Sequence, residues 1–177
     1  RNSSRVNYAK LVPDNSFIGD YLAYMSASET PYAYDFWGAI YAVSCAVGRG
    51  TFVDRPRAPV YLNQFLIFVA ESGTTRKSTA VREAIRFVRP LTGDENYLIE
   101  AKTTPEKLES ILHQQSKEYG TSQASIAISE LVTFLGREKY NEQMPTLLTD
   151  LYDCPELRSG GGTISSGPRT LQNVFVS

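Results

Sequence analysis

Residues 65–85 are the most informative run of the chain, and they read FLIFVAESGTTRKSTAVREAI. The first six residues of this run, 65–70, are all apolar, which is typical of a strand buried on both faces of a parallel sheet. From residue 78 onward the apolar side chains recur every three or four residues, which predicts a helix over residues 78–89. The apolar face of this helix consists of Val81, Ala84, Ile85 and Val88. A strand, a polar turn and a helix in this order predict an α/β fold.

The polar turn between the strand and the helix contains the parts of a phosphate-binding loop. Such a loop needs a glycine where the backbone curls its N–H groups around oxygens, a lysine that reaches the outer phosphates, and a hydroxyl for magnesium. Gly73, Lys77 and Ser78 meet these needs in that order. The expected nucleotide contacts are Gly73, Thr74, Thr75, Arg76, Lys77, Ser78 and Thr79. The alternative is a polar strand-to-helix turn that happens to contain Lys-Ser-Thr.

The turn departs from the usual phosphate loop in its glycine content. The usual pattern has one glycine immediately before the lysine and another six residues before it. This chain has Arg76 and Glu71 at those positions. We therefore expect the loop to curve at Thr74, Thr75 and Arg76 with positive φ angles, which cost these residues more than they cost glycine.

A carboxylate at the end of a later strand supports the phosphate-loop interpretation. Residues 125–129 predict an apolar strand, and Glu130 follows it directly. In P-loop enzymes an acid at such a strand end orients the magnesium shell or activates the attacking water. Glu130 could instead be a helix N-terminal glutamate favoured by the helix macrodipole. Taken together with Lys77 and Ser78, the role in metal binding and catalysis is favoured.

The rest of the chain alternates helices and strands. Residues 1–50 predict a helical N-terminal region, with one helix over residues 17–27 and a second between Pro31 and Gly48. The later elements are a strand at 97–101, a helix capped by Thr104 with Pro105 in its first turn and Gly120 at its end, helices at 131–140 and 145–153, a flexible segment at 159–162, and an apolar strand at 173–177. This alternation predicts a mostly parallel sheet with helices on both faces.

Composition limits the classes of function. The net charge is −1, but residues 49–89 carry eight basic and three acidic side chains, whereas residues 94–156 carry five basic and twelve acidic ones. A basic segment around a phosphate loop suits anion binding. Two cysteines and one histidine argue against a structural zinc site and for a reducing, cytoplasmic compartment. No stretch reaches the roughly 20 apolar residues of a membrane-spanning helix, and the start at Arg1 without methionine predicts a piece of a longer polypeptide.

Four segments carry a resemblance to a known family, and they read FLIFVAESGTTRKSTA, SIAISELVTFLG, LLTDLYDCP and LQNVFVS. Together they resemble the helicase-like P-loop ATPase domain of phage, plasmid and mobile-element replication proteins, among them primase-helicases. The resemblance implies a RecA-like or AAA-type core over residues 51–177, incomplete at its C-terminal end, that hydrolyses ATP with Mg²⁺. It implies Lys77 and Glu130 as catalytic residues, with Ser78 and Glu130 as magnesium contacts. It also implies single-stranded DNA as the partner, a homo-oligomeric ring, and no membrane.

Two other functions remain open: a nucleotide-binding switch or scaffold that hydrolyses ATP weakly, and a small-molecule P-loop kinase. Strand order separates the kinase from the motor. The motor-type proteins have an extra strand between the phosphate-loop strand and the acidic-end strand, whereas in the kinase type these two strands are direct neighbours. We predict the motor-type order 97–101, 125–129, 173–177, 65–70, with all four strands parallel.

Overall fold

The structure is a computed structural model that describes residues 6–71, 75–93, 96–128, 131–135, 142–160 and 167–177. Its α-helices are α1 (Phe17–Met25), α2 (Tyr32–Val47), α3 (Lys77–Val88), α4 (Pro105–Tyr119), α5 (Leu131–Leu135) and α6 (Met144–Tyr152). Its strands are β1 (Phe52–Val53), β2 (Val60–Tyr61), β3 (Asn96–Ile99), β4 (Ser122–Ile126), β5 (Leu157–Gly160), β6 (Arg169–Gln172) and β7 (Val174–Val176). Among the helices described, none combines the length and the apolar character that crossing a membrane requires.

The central sheet is parallel and has the order β3-β4-β7. Ala124 of β4 lies opposite Tyr97 of β3 on one side and opposite Val176 of β7 on the other. β4 is therefore the middle strand, with both of its edges occupied. The predicted order and direction of these three strands are confirmed. The middle strand is shifted, because β4 spans Ser122–Ile126 and not the predicted 125–129, so Glu130 does not follow it directly.

Helices cover both faces of this sheet. Successive strand residues point to opposite faces, and accordingly Leu98 and Ile99 belong to different cores. On one face α2 and α3 contribute Tyr41, Ala42, Cys45, Ile85 and Val88. On the other face α4, α5 and α6 contribute Leu108, Leu112, Phe134, Met144, Leu147 and Leu151. The mixed α/β class and the helical layers on both faces agree with the prediction.

The N-terminal helices pack directly on α3. Gly38 of α2 approaches α3 so closely that a Cβ at this position would lie 3.3 Å from the Cβ of Ala84. The ring of Phe87 makes edge contacts with three α1 rings, with centroid distances of 5.8 Å to Phe17, 5.2 Å to Tyr21 and 5.5 Å to Tyr24. This packing fixes α2 beside α3. The proposed division of the chain at residue 50 stays a prediction.

Residues 65–70 form no strand, which corrects the sequence prediction. They are not buried on both faces either, because Phe65 is 42%, Ile67 61% and Val69 80% exposed. Leu66, which points the other way, packs against the core formed by α2 and α3. The segment is thus covered on one side only.

The prediction placed this segment beside β7, but the two do not pair. The segment meets the sheet just after β7, where Gln64 N donates to Ser177 Oγ at 3.0 Å. Among the described residues, no strand pairs with the backbone that follows Gln64. An apolar run predicts burial, but a strand also needs a backbone partner.

The ends of α4 are as predicted. The Thr104 hydroxyl accepts from Lys107 N at 3.3 Å, and Pro105 is the first helical residue. Gly120 follows the last residue with a left-handed φ of 69°. These signals act within one turn of helix, so tertiary packing does not override them.

The glycine-rich segment is in part a hairpin and not a flexible linker. Ser159 and Gly160 belong to β5, which pairs antiparallel with β6, while residues 161 and 162 of the predicted linker lie outside the described residues. Arg158 of β5 lies 2.8 Å from Glu109 Oε1 of α4, and Arg169 of β6 lies 3.7 Å from Glu109 Oε2. The Glu109 side chain is only 9% exposed. This ion-pair cluster ties the hairpin to α4.

Candidate functional site

The candidate phosphate loop leads into α3, which begins at Lys77. Arg76 is the N-cap residue, and no side chain caps the first turn. Thr79 N and Ala80 N donate to Arg76 O at 3.0 and 3.1 Å. A helix start without a side-chain acceptor keeps the positive end of its dipole available to an anion.

The second half of the turn curves without strain. Lys77 N donates to Thr75 O at 2.6 Å, and Arg76 between them has φ −71° and ψ 53°, the geometry of an inverse γ-turn. Arg76 does not have a positive φ. The expectation of positive φ angles is therefore wrong at Arg76, whereas Thr74 lies outside the described residues. A three-residue turn replaces the curvature that glycine usually supplies before the lysine.

The Lys77 side chain folds back across the turn. Its Nζ donates to Ala70 O at 2.5 Å, and the residue is half-buried. The ammonium group therefore joins the end of the apolar segment to the start of α3. A cation that donates to a neutral carbonyl can exchange it for an anionic oxygen, with which it forms a stronger, charge-assisted hydrogen bond.

Hydroxyl groups flank this lysine. The Thr75 Oγ1 is buried and has no hydrogen-bond partner within the described part of the chain. Ser78 is exposed in the first turn of α3, and Thr79 is half-buried. A buried hydroxyl without a partner costs free energy, so a ligand oxygen at the turn would relieve that cost.

Two residues of the N-terminal helical region bracket the turn, and the sequence analysis missed both. Tyr34 of α2 donates from its hydroxyl to Val69 O at 2.8 Å and stacks on Phe68, with centroids 4.6 Å apart. Glu29, which precedes α2, forms an ion pair with Arg76. Both contacts join distant parts of the chain, and no local pattern predicts them. The start of α2 is therefore one wall of the candidate site.

A hydrogen-bond network fixes α2 to the carboxyl ends of the strands. Tyr41 OH donates to Ile126 O at 3.0 Å, and the hydroxyls of Ser44 and Ser177 lie 2.7 Å apart. The network therefore connects α2 to Ile126 at the end of β4 and to Ser177 just after β7.

The structure brings five of the predicted site residues together at the start of α3: Thr75, Arg76, Lys77, Ser78 and Thr79. Gly73, Thr74 and Glu130 lie outside the described residues. Ala127 N, just beyond β4, donates to Ile99 O at 2.9 Å, which places this strand end beside that of β3. The role of Glu130 in magnesium binding and catalysis therefore stays a prediction.

The two thiols are poor nucleophiles. Burial raises the pKa of the Cys45 thiol, and it raises the pKa of the Cys154 thiol to about 11, although the Arg49 guanidinium partly offsets the effect at Cys154. Both therefore stay protonated at neutral pH. In the part of the chain that the structure describes, no group of three or more His, Cys, Asp or Glu side chains has the arrangement of a metal site.

Two open clefts lie away from the candidate loop. One, of about 540 Å³, is lined by residues 45–50, residues 90–93, Tyr119 and Gln123. The other, of about 400 Å³, lies between α4, α6 and Arg158 of β5. Neither is lined by residues 75–79. The candidate loop is therefore defined by its side chains and its helix start.

Comparison of this chain with protein-family models, with curated proteins and with solved structures found no match.

Proposed function

We propose that this chain is the ATP-hydrolysing motor domain of a DNA helicase or replication protein, with the turn before α3 as its phosphate-binding loop. The observation that carries the proposal is the Lys77 ammonium group, which lies 2.5 Å from Ala70 O across the turn at the start of α3. A lysine in this position, beside the uncapped start of a helix, combines the two features that bind phosphate most strongly.

The described residues fit a nucleotide phosphate chain with magnesium. The orphan Thr75 hydroxyl and the uncapped first turn of α3 offer hydrogen-bond donors, and the exposed Ser78 hydroxyl offers an oxygen ligand to a metal. In this proposal Lys77 leaves the Ala70 carbonyl and neutralises phosphate charge. Glu130 holds the metal shell or accepts a proton from the attacking water. ATP with Mg²⁺, when bound, supplies the transferable phosphoryl group and its charge neutralisation.

The strand order supports a motor in preference to a kinase. β4 leads toward Glu130 and has β3 and β7 on its two edges, so no edge is left for residues 65–70. The segment instead meets Ser177, just after β7, through Gln64 N. β7 therefore stands between the acidic-end strand and the segment before the phosphate loop. The positions of β4 and β7 support the order that the resemblance implies for a RecA-like or AAA-type core, although residues 65–70 do not form its fourth strand.

Hydrolysis measurements on two single variants test the proposal. Lys77→Ala should lower ATP hydrolysis about a hundredfold or more, because it removes a charge aimed at the transferred phosphate. Arg82→Ala is the matched control, since Arg82 also lies on α3 and its side chain is 71% exposed. The control should hydrolyse ATP at the wild-type rate, and circular dichroism should show that both variants are folded.

The outcomes separate the three functions. Equal hydrolysis by Lys77→Ala and the wild type would reject the phosphate loop. Hydrolysis that single-stranded DNA stimulates supports the motor, whereas ATP binding with little turnover, unchanged by DNA, would identify a switch. Transfer of the phosphoryl group to a small metabolite would identify a kinase.

A further inference from the structure

A short hairpin projects from the domain before the apolar segment. β1 and β2 pair antiparallel, with Phe52 opposite Tyr61 and Val53 opposite Val60. The connecting residues 54–59 are all exposed. They read DRPRAP, and the two prolines restrict the backbone of the connection. The hairpin thus presents a stiffened tip to solvent.

Two exposed arginines, Arg55 and Arg57, lie in this tip. Within the described part of the chain, neither guanidinium makes a hydrogen bond or an ion pair. Asp54 is the one acidic residue of residues 51–61, so the hairpin carries a net charge of +1. Other exposed arginines, such as Arg76 and Arg89, pair with carboxylates. The two guanidinium groups at the tip are therefore available to bind an anionic ligand.

Exposed apolar side chains flank these cations. Phe52 is 51%, Val53 52% and Val60 42% exposed. The ring of Phe52 packs against the ring of Tyr61, with centroids 5.8 Å apart. One part of its surface is covered by this contact, and the rest is exposed to solvent. An open aromatic ring within a few residues of two unpaired arginines combines a stacking surface with phosphate-binding groups.

The base of the hairpin is anchored to the sheet. Arg49 lies over the Tyr61 ring, 4.4 Å from its centroid. The same guanidinium donates to Cys154 O at 2.6 Å and to Val174 O at 2.5 Å. Arg49 is thus a structural residue that fixes the hairpin beside β7. A ligand at the tip would therefore bind to an element whose base is fixed by Arg49.

We propose that the β1–β2 hairpin is a contact site for single-stranded nucleic acid. Arg55 and Arg57 bind backbone phosphates, and Phe52 stacks on a base. An acidic peptide would satisfy the arginines but would leave the open ring unused, so the combination favours nucleic acid. The inference rests on the proposed function, because it names the surface by which the proposed motor binds single-stranded nucleic acid. The site itself is separate from the phosphate loop, because residues 62–70 lie between the two.

Binding of a fluorescently labelled oligo-dT strand, followed by anisotropy at several salt concentrations without nucleotide, tests the inference. The double variant Arg55→Ala/Arg57→Ala should bind about tenfold or more weakly. It should also flatten the slope of log affinity against log salt by about 0.7 for each phosphate group that the arginines no longer neutralise. Asp54→Asn should bind more tightly, because it removes the one negative charge of the tip. Arg82→Ala, which removes an exposed arginine elsewhere, should bind like the wild type.

The aromatic contact has its own pair of variants. Phe52→Ala should weaken binding about fivefold or more, and Phe52→Tyr, which keeps the ring, should restore it. Wild-type affinity and salt slope in the double arginine variant would overturn the inference, as would a wild-type protein that binds no oligo-dT. ATP hydrolysis without DNA judges the phosphate loop separately. A protein that hydrolyses ATP through Lys77 but binds DNA without the hairpin would contradict this inference alone.

Discussion

Two side chains hold the segment before the candidate phosphate loop in place. Lys77 joins the two ends of the turn through Ala70 O, while Tyr34 holds the preceding segment through Val69 O. Both bonds end on carbonyls of the same extended segment. The position of the turn therefore depends on α2 as much as on α3.

Asp35, next to Tyr34, should make the stability of the domain depend on pH. It is 5% exposed, and the Thr30 hydroxyl lies 2.7 Å from its Oδ1. Burial raises the pKa of the Asp35 carboxyl, and the Thr30 bond offsets part of the rise. Because the folded pKa lies above the unfolded value of about 3.9, the contribution of Asp35 is most favourable below that value and is lost as the pH rises through the folded pKa.

Asp35→Asn, which keeps an acceptor for Thr30, should remove this dependence. Relative to the wild type, the variant should gain stability as the pH rises from about 4 toward neutrality. Urea denaturation of both proteins across that range measures the difference. Parallel stability profiles for the two proteins would show that Asp35 titrates in the fold as it does in the unfolded chain.

The sequence predicted residues that interact with their near neighbours in the chain, such as helix caps. It did not predict residues whose partners are distant in the chain. Thr104 and Gly120 mark the ends of α4 because a cap and a left-handed residue work within one turn of helix. Tyr34 and Glu29 gave no such signal, since their partners lie far along the chain. The sequence also placed Lys77 and Ser78 at the start of a helix, as observed, but not the inverse γ-turn at Arg76.

The glycines that follow α2 and α4 have similar backbone angles but different surroundings. Gly48 ends α2 with φ 52°, and Gly120 ends α4 with φ 69°. A Cβ at Gly48 would lie 2.6 Å from Gln123 Oε1, whereas a Cβ at Gly120 would meet nothing within 4 Å. The Gln123 oxygen also accepts from Arg49 N at 3.2 Å. Substitution at Gly48 therefore strains the backbone and displaces a hydrogen-bonded side chain.

Gly120→Ala should destabilise the protein by about 1 kcal/mol, the usual cost of a left-handed residue with a Cβ. Gly48→Ala should cost about 1 kcal/mol more, because Gln123 must leave Arg49 N. Thermal or urea unfolding of the two variants gives the comparison. Equal destabilisation, or a larger effect for Gly120→Ala, would mean that the Gly48–Gln123 contact is not as close as described.

The segment 65–70 shows that an apolar composition alone does not predict a β-strand. Its apolar run resembles a strand buried on both faces, yet Ile67 and Val69 are exposed and no strand pairs with it in the described fold. Hydrophobicity reports the free energy of burial but not the presence of a backbone partner. The hairpin β5–β6 shows the converse, because glycine-rich composition predicted flexibility where pairing forms.

The domain as a whole combines a predictable topology with an unpredictable arrangement of helices. The order β3-β4-β7 followed from the motor-type order that the resemblance implies, together with a parallel crossover long enough to permit it. The packing of α2 against α3, with Gly38 against Ala84, did not follow, since the sequence gives each helix an apolar face but not its neighbour. That packing brings Tyr34 to the candidate phosphate loop.

Amide chemical shifts recorded while a non-hydrolysable ATP analogue and Mg²⁺ are added locate the nucleotide site without relying on activity. At 19.7 kDa the chain suits residue-by-residue NMR. We expect the largest shifts at residues 70–79, smaller ones at Tyr34, and little change at Arg158 in the cleft between α4 and α6. Shifts centred on that cleft or on residues 45–50, or no shifts at saturating nucleotide, would contradict a phosphate-binding loop before α3.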